Sequence, residues 1–201
     1  MRLDPDREIS PTGKTVGDFW AWAFSDVLSN INRAVLAEWL VGSALNCVGG
    51  IRPIWAPWDL EYGGSRIEVK STSYHQNWKR SPDSRSEFDI KATTADFPRD
   101  AAIPFGPEAE YYTDPEIKRR ADIYVFANYA EEDPAKVDPL DVGGWCFYVL
   151  PTPELEAHFG KQKKVALSRI RAVTAEVGYE DLRTTIHTVL GRANPPYSLR
   201  V

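Results

Sequence analysis

The spacing of apolar and polar residues changes along the chain and predicts two helices followed by a β-hairpin. Residues 15–29 and 33–46 carry apolar positions at helical spacing, and each segment begins beside a residue that can cap a helix. Residues 58–62 and 65–72 alternate as strands do, and a Gly-Gly pair lies between them. Two glycines flanked by alternating residues are typical of a tight hairpin turn, where positive φ is needed.

The rest of the chain predicts further strands and helices around a polar middle segment. Residues 78–107 are rich in Pro, Asp, Arg and Ser and predict mostly loop. The other predicted elements are strands at residues 51–55, 87–91, 121–127, 145–150 and 164–167, a basic helical turn at 118–120, and helices at 153–159 and 179–190. We therefore expect one α/β domain over residues 1–201, with a central mixed sheet flanked by helices and with tails at 1–14 and 191–201.

Composition and charge restrict the classes of function. Hydrophobic residues make up 43% of the chain and charged residues 26%, as in ordinary globular proteins. The chain holds no apolar run of membrane-spanning length, so we expect a cytoplasmic protein. The two cysteines, Cys47 and Cys146, are isolated and do not favour zinc or a disulfide framework. The net charge of −5 gives no overall attraction to nucleic acid, so phosphate binding would need a local patch.

The predicted hairpin brings two acids together. A two-residue turn places Leu60 opposite Ile67 and Trp58 opposite Val69 on an apolar face. On the other face Asp59 lies opposite Glu68, at a separation of about 5 Å between Cβ atoms. Two like charges at that separation repel each other unless a positive charge intervenes. A divalent cation between the two carboxylates would remove the conflict.

The residues around this acid pair are those that Mg²⁺ chemistry uses. Mg²⁺ prefers hard oxygen ligands and takes only one or two carboxylates, which Asp59 and Glu68 supply. The backbone carbonyl of Val69 is a further candidate ligand. Strand alternation puts Lys70 on the face of Glu68, where its ammonium could orient or help deprotonate an attacking water and stabilise developing negative charge.

This arrangement resembles the PD-(D/E)xK nuclease superfamily. The similarity rests on Asp59 followed nine positions later by Glu68-Val69-Lys70 across a hairpin, after a helix that carries Glu38. One departure is Trp58, which stands where the superfamily name implies proline. The resemblance implies a restriction-endonuclease-like αβββαβ core, Mg²⁺ as the cofactor with Mn²⁺ as a substitute, and hydrolysis of phosphodiester bonds, with DNA as the expected substrate.

The resemblance also implies roles for residues outside the hairpin. An acid on the first core helix often joins the metal site in that superfamily, which Glu38 matches, and Gln76 matches a glutamine that follows the lysine strand in several branches. For Glu38 the alternative is a helix acid that pairs with an arginine or lies at an exposed edge. The basic residues after the hairpin could contact a nucleic-acid backbone or simply be solvated, and they are Lys79, Arg80, Arg85 and the group at 118–120.

Three readings of function stay open on the sequence alone. The first is a Mg²⁺-dependent nuclease acting on DNA, with Asp59, Glu68, Lys70, Glu38 and Gln76 in its active site. The second is a non-catalytic nucleic-acid-binding or protein-interaction module that keeps the fold, since a fold does not prove its chemistry. The third is a nuclease that acts on RNA or on a small nucleotide. A homodimer is compatible with each of them.

Overall fold

The computed structural model describes residues 2–53, 56–75, 86–99 and 109–191. Within these ranges the chain forms short strands and helices that alternate irregularly. Two 3₁₀ turns, Pro134–Lys136 and Val142–Gly144, precede the ninth strand. The elements in chain order are β1 Glu8–Ile9, β2 Lys14–Thr15, α1 Val16–Phe24, α2 Asn30–Leu45, β3 Leu60–Tyr62, β4 Ser65–Ser73, β5 Glu87–Asp89, β6 Thr93–Pro98, β7 Tyr111–Lys118, β8 Ile123–Tyr129, β9 Trp145–Pro151, α3 Thr152–Phe159, β10 Lys164–Ala166, α4 Leu167–Arg171 and α5 Tyr179–Val189.

The two N-terminal helices begin at side-chain caps. Thr15 and Asp18 form a capping box at the start of α1, as their spacing predicted. Ser29 caps α2 by accepting from the N–H of Asn32, so the helix begins before the Asn32 cap that the sequence suggested. Asn46 ends α2 with a left-handed backbone, φ 57°. Among the helices in the described ranges, none has the length and apolar character needed to cross a membrane.

The central sheet has four strands in the order β3-β4-β8-β9. β3 and β4 are antiparallel, β4 and β8 parallel, and β8 and β9 antiparallel, so the sheet is mixed as expected. The predicted hairpin register is confirmed from Leu60 opposite Ile67 to Tyr62 opposite Ser65, but the paired residues do not include the predicted Asp59–Glu68 pair. The Gly-Gly turn between β3 and β4 has φ of 54° and 80°, which explains why glycine occupies both positions.

Both faces of the sheet are covered, so every residue of β8 is buried. On one face Ile67, Val69 and Val125 pack with side chains from α2 and α5. On the other face Tyr124 and Phe126 pack with side chains from β5, α3 and α4. Burying both faces places a continuous apolar strand at the centre of the domain and confirms the mixed α/β class with flanking helices.

The structure departs from the predicted elements at several places. Residues 51–53 of the predicted strand 51–55 are not in a strand, and residues 54–55 lie outside the described ranges. The predicted basic helical turn is wrong, because Lys118 ends strand β7. β6 and β7 pair as an antiparallel hairpin where loop was expected. The residues that the structure describes between β4 and β8 form strands β5, β6 and β7, with no helix among them. The predicted N-terminal tail contains the β1-β2 hairpin.

Candidate functional site

The carboxylate of Asp59 takes the place of a strand partner at the end of the β3-β4 hairpin. The backbone N–H of Asp59 donates to the carbonyl of Ile67 at 3.0 Å. Its side-chain Oδ2 accepts from the backbone N–H of Val69 at 2.7 Å. The N–H and C=O of one strand residue point to the same edge of the strand, so the Val69 carbonyl points to the β3 side of β4. Asp59 is therefore fixed against the backbone of β4.

Pairing in β3 begins only at Leu60, which changes the environment of Trp58. Trp58 was expected beside Val69 on the apolar face. The guanidinium of Arg66 instead lies over the Trp58 ring, with Cζ of Arg66 5.4 Å from the ring centroid. The ring centroids of Trp58 and Phe97 are 6.1 Å apart. Arg66 and Ile67 point to opposite faces of the hairpin. Trp58 therefore lies on the face of Arg66 and not on the apolar face of Ile67 and Val69, where it was expected. Because strand pairing with β4 stops at Leu60, the N–H of Val69 donates to the side chain of Asp59 and not to a backbone carbonyl.

Glu68 and Lys70 lie on the same face of β4 and form an ion pair. Their side chains are 18% and 30% exposed, so solvent screens this pair less than a surface pair. Burial alone would lower the pKa of Lys70, but the negative charges of Glu68, Asp59 and Asp89 outweigh burial and raise it. Lys70 therefore carries its proton at neutral pH.

The pKa of Glu68 is strongly raised. Burial raises its pKa to about 7, and the nearby charge of Asp59 adds to the rise, although Lys70 opposes it. The pKa of Asp59 is also raised, because burial outweighs the hydrogen bond from Val69 and the charges of Lys70 and Arg52. The repulsion between the two acids that the register predicted is therefore present, and Lys70 offsets only part of it.

Glu38 lies beside this cluster but is held by an arginine. Both of its carboxylate oxygens accept from Arg52, at 2.5 and 2.6 Å. The Glu38 side chain is 8% exposed, and burial raises its pKa despite the arginine. The charges of Asp59 and Lys70 also act on the pKa of Glu38, and Glu38 and Asp59 line the same cleft. The arginine pairing weighed as an alternative is thus present, and a ligand role for Glu38 stays a prediction.

A polar cleft with a volume of about 460 Å³ opens beside these residues. The residues that line it come from α2, β4, β5 and β10 and from Asp59 just before β3, and they include Arg33, Glu38, Lys70 and Asp89. Glu68 does not line the cleft itself but contacts the ammonium of Lys70, which does. A ligand entering the cleft would therefore meet Asp59 and Lys70 before Glu68.

The donor set is compatible with Mg²⁺. Among the described residues there is no group of three or more His, Cys, Asp or Glu side chains arranged to hold a metal. Mg²⁺ does not need one, because it usually takes one or two carboxylates and completes its shell with water and substrate oxygens. Asp59 and Glu68 provide two hard, mostly buried carboxylates whose mutual repulsion a cation would relieve, and the Val69 carbonyl is directed to the same side.

Several other predicted site residues are placed elsewhere or lie outside the description. Gln76, Lys79, Arg80 and Arg85 fall outside the described residues. Arg119 donates to the carbonyl of Ile90, and Arg120 donates to the carbonyl of Glu116 and pairs with Asp114 at 3.0 Å. These two arginines are buried structural groups, so they do not form the basic phosphate-binding surface considered from the sequence.

Two charged residues near the site were missed by sequence reasoning. Arg52 follows the glycines after α2, and nothing in its local pattern indicates that it reaches back to Glu38. Asp89 lies on β5, a short strand within a polar segment, and acts on Lys70 only because the fold places β5 beside β4. In both cases the signal is tertiary, and the only hint in the sequence was that a buried helix acid needs a cationic partner.

No family model, no curated protein and no solved structure matches this chain. The interpretation of the site therefore depends on its own geometry and chemistry.

Proposed function

We propose that this protein is a Mg²⁺-dependent phosphodiesterase that hydrolyses nucleic acid, with DNA as the expected substrate. The observation that carries the proposal is the half-buried cluster of Asp59, Glu68 and Lys70 beside a polar cleft. Buried like charges are costly to the fold, and such strain is concentrated at functional sites. The resemblance to the PD-(D/E)xK superfamily supports the same chemistry, with a restriction-endonuclease-like core as the proposed fold.

In this proposal Asp59 and Glu68 hold the cation, with the Val69 carbonyl as a further oxygen donor. When bound, Mg²⁺ supplies Lewis-acid stabilisation of a phosphate oxygen and lowers the pKa of a coordinated water. Lys70 binds one carboxylate oxygen of Glu68, so the other oxygen can take the cation, and the ion pair must open only for Lys70 to turn to the substrate. The hydrogen bond from Val69 holds the Asp59 carboxylate in place throughout.

Lys70 then acts on the substrate rather than on Glu68. The raised pKa of Lys70 means that it is an ammonium at neutral pH, which favours orienting water and stabilising negative charge over accepting a proton. Its side chain lines the cleft, so the ammonium can reach a bound phosphate. Lys70 is therefore proposed as the catalytic residue that stabilises charge developing on the phosphate.

A non-catalytic module is the second candidate, and one observation favours it. The three carboxylates of the site face two cations, because Glu38 is paired with Arg52 and Glu68 with Lys70. The site is thus nearly neutral without any bound ion. The net charge of −5 also argues against strong binding to a duplex over a broad surface.

Thermal unfolding in a titration of Mg²⁺ or Mn²⁺ tests the metal site. We expect the wild-type melting temperature to rise with metal and the rise to be lost in Asp59→Asn and Glu68→Gln. The control is Glu61→Gln, which removes an exposed acid from the same hairpin and should keep the metal response. A wild-type protein that metal does not stabilise would contradict the metal site.

Cleavage of plasmid DNA and of single-stranded DNA tests catalysis separately. Lys70→Met should keep the metal-dependent stabilisation, because Glu68 loses its competing partner, but should lose nicking. Lys136→Met is the matched control, since that lysine is 71% exposed. Stabilisation by metal without any Lys70-dependent cleavage of either substrate would favour the non-catalytic module.

A further inference from the structure

A second cavity adjoins the polar cleft at the acid cluster. It has a volume of about 230 Å³, and Glu38 and Asp59 line both spaces. The two cavities are therefore neighbours that share a wall made of acids from the proposed site. The second cavity is largely apolar, and its lining includes Val35, Trp39, Cys47, Val48, Ile51 and Leu60.

Trp39 is the aromatic surface of this cavity. It lies one residue after Glu38 on α2, and Val35 lies one helical turn before it, so both line the cavity from one helix face. Trp39 is 54% exposed and Ile51 is 66% exposed, so the fold itself leaves their apolar surface in water. Arg52 adds hydrogen-bond donors at the boundary with the acids.

We infer that this cavity receives an unpaired nucleobase of the substrate, and that the substrate class is single-stranded or locally unpaired nucleic acid. The inference rests on the proposed function. A nucleotide combines a flat apolar base with an anionic phosphate, and the structure offers an apolar cavity beside a polar one. A base held on Trp39 would place its phosphate toward Asp59 and Lys70 across the shared wall. A paired base inside a duplex cannot enter such a space without leaving the stack.

The charge of the protein agrees with this substrate class. Duplex binding depends mainly on lysine and arginine contacts to phosphates, and the chain carries 24 such residues against 29 acids. Of the basic residues that line the polar cleft or pair with its acids, Lys70, Arg52 and Lys164 are each paired with a carboxylate, and Arg33 donates to the carbonyl of Leu28. Stacking of bases on aromatic side chains supplies affinity that does not depend on net charge.

The inference is tested by the binding of fluorescently labelled hexathymidylate, measured by anisotropy in EDTA and again in Ca²⁺. We expect Trp39→Ala to weaken binding about tenfold, the loss of one stacked base, and Trp39→Phe to restore most of it. Trp22→Ala is the matched control, because Trp22 on α1 is 85% exposed and remote in sequence from the cavity. A hexamer of abasic residues should bind the wild type and Trp39→Ala equally.

Hexathymidylate binding that is the same in wild type and Trp39→Ala would overturn the inference. Tighter binding of a six-base-pair hairpin duplex than of hexathymidylate would also overturn it. The test is separable from the proposed function, because Glu68→Gln should remove the metal response and Glu68 lines neither cavity. If wild type shows no metal response but Trp39-dependent binding persists in EDTA, the base site stands and the catalytic proposal fails.

Discussion

The side chain of Asp59 and the backbone N–H of Val69 are joined by a hydrogen bond of 2.7 Å. The Asp59 carboxylate thus has two roles. It accepts a backbone hydrogen bond from β4 beyond the last paired residue of β3, and it is a candidate metal ligand. The two roles need different properties of the side chain. The hydrogen bond needs only an acceptor oxygen, whereas the metal needs a negative charge.

Asp59→Asn and Asp59→Ala should therefore differ in stability but not in metal binding. Asn keeps an acceptor for Val69 and removes the repulsion on Glu68, so we expect a free energy of unfolding equal to or above that of the wild type. Ala leaves the Val69 N–H without this acceptor, which should cost about 1–3 kcal/mol. Urea unfolding without metal measures the difference, and neither variant should be stabilised by Mg²⁺. Equal losses in both variants would show that the hydrogen bond contributes little.

Glu68 predicts an unusual dependence of stability on pH. Its pKa is raised from 4.5 to about 7 in the folded state, so the fold favours the protonated carboxyl. The stability that this group contributes is full below about pH 4.5 and is lost as the pH rises through 7. The loss should be on the order of 3 kcal/mol at most, since each pKa unit corresponds to about 1.4 kcal/mol.

Glu68→Gln should flatten this part of the stability profile. The measurement is urea unfolding from pH 4.5 to 8 in EDTA, with Glu61→Gln as the control that keeps the wild-type slope. In saturating Mg²⁺ the wild-type decline should shrink, because the metal binds the ionised carboxylate and its stabilising effect grows as protons leave. Parallel profiles for wild type and Glu68→Gln would contradict the raised pKa.

The hairpin could be predicted from the sequence because its determinants are local. Two glycines with positive φ fix the turn, and the alternation of Leu60, Ile67 and Val69 fixes the buried face. The register then follows without any tertiary information. The residue at which pairing between β3 and β4 ends could not be predicted from this register. The placement of Trp58 depends on Arg66 and Phe97, and Phe97 comes from β6.

The missed elements are those whose stability comes from distant contacts. β6 and β7 are largely exposed and polar, so they lack the apolar alternation that marks a strand. Arg120 helps to hold them together by binding backbone carbonyls of both strands, those of Thr93 and Glu116. The same limit applies to Glu38, for which the need for a cation was predictable but the choice of Arg52 was not.

Packing of α2 against the hairpin gives a prediction about Gly42. A Cβ at this buried helix position would overlap Cγ1 of Val48 and lie 3.4 Å from Cδ2 of Leu60. Gly42→Ala should lower the free energy of unfolding by about 1–2 kcal/mol, since overpacking outweighs the gain in helix propensity. Gly49→Ala is the control, because its Cβ would meet nothing within 4 Å. A stabilised Gly42→Ala would show that Val48 can move away from α2 at little cost.

Variants of the Glu38–Arg52 ion pair can distinguish a structural role of Glu38 from a metal-binding role. Arg52→Ala leaves a buried carboxylate without its partner, which should cost about 1–3 kcal/mol, less than for a fully buried pair because Arg52 is 44% exposed. The double variant with Glu38→Gln should recover part of this loss, as urea unfolding of all four proteins would show. If Glu38 can serve as a metal ligand, releasing it in Arg52→Ala should also lower the Mg²⁺ concentration needed for half of the stabilisation. An unchanged Mg²⁺ midpoint in Arg52→Ala would assign Glu38 to the fold alone.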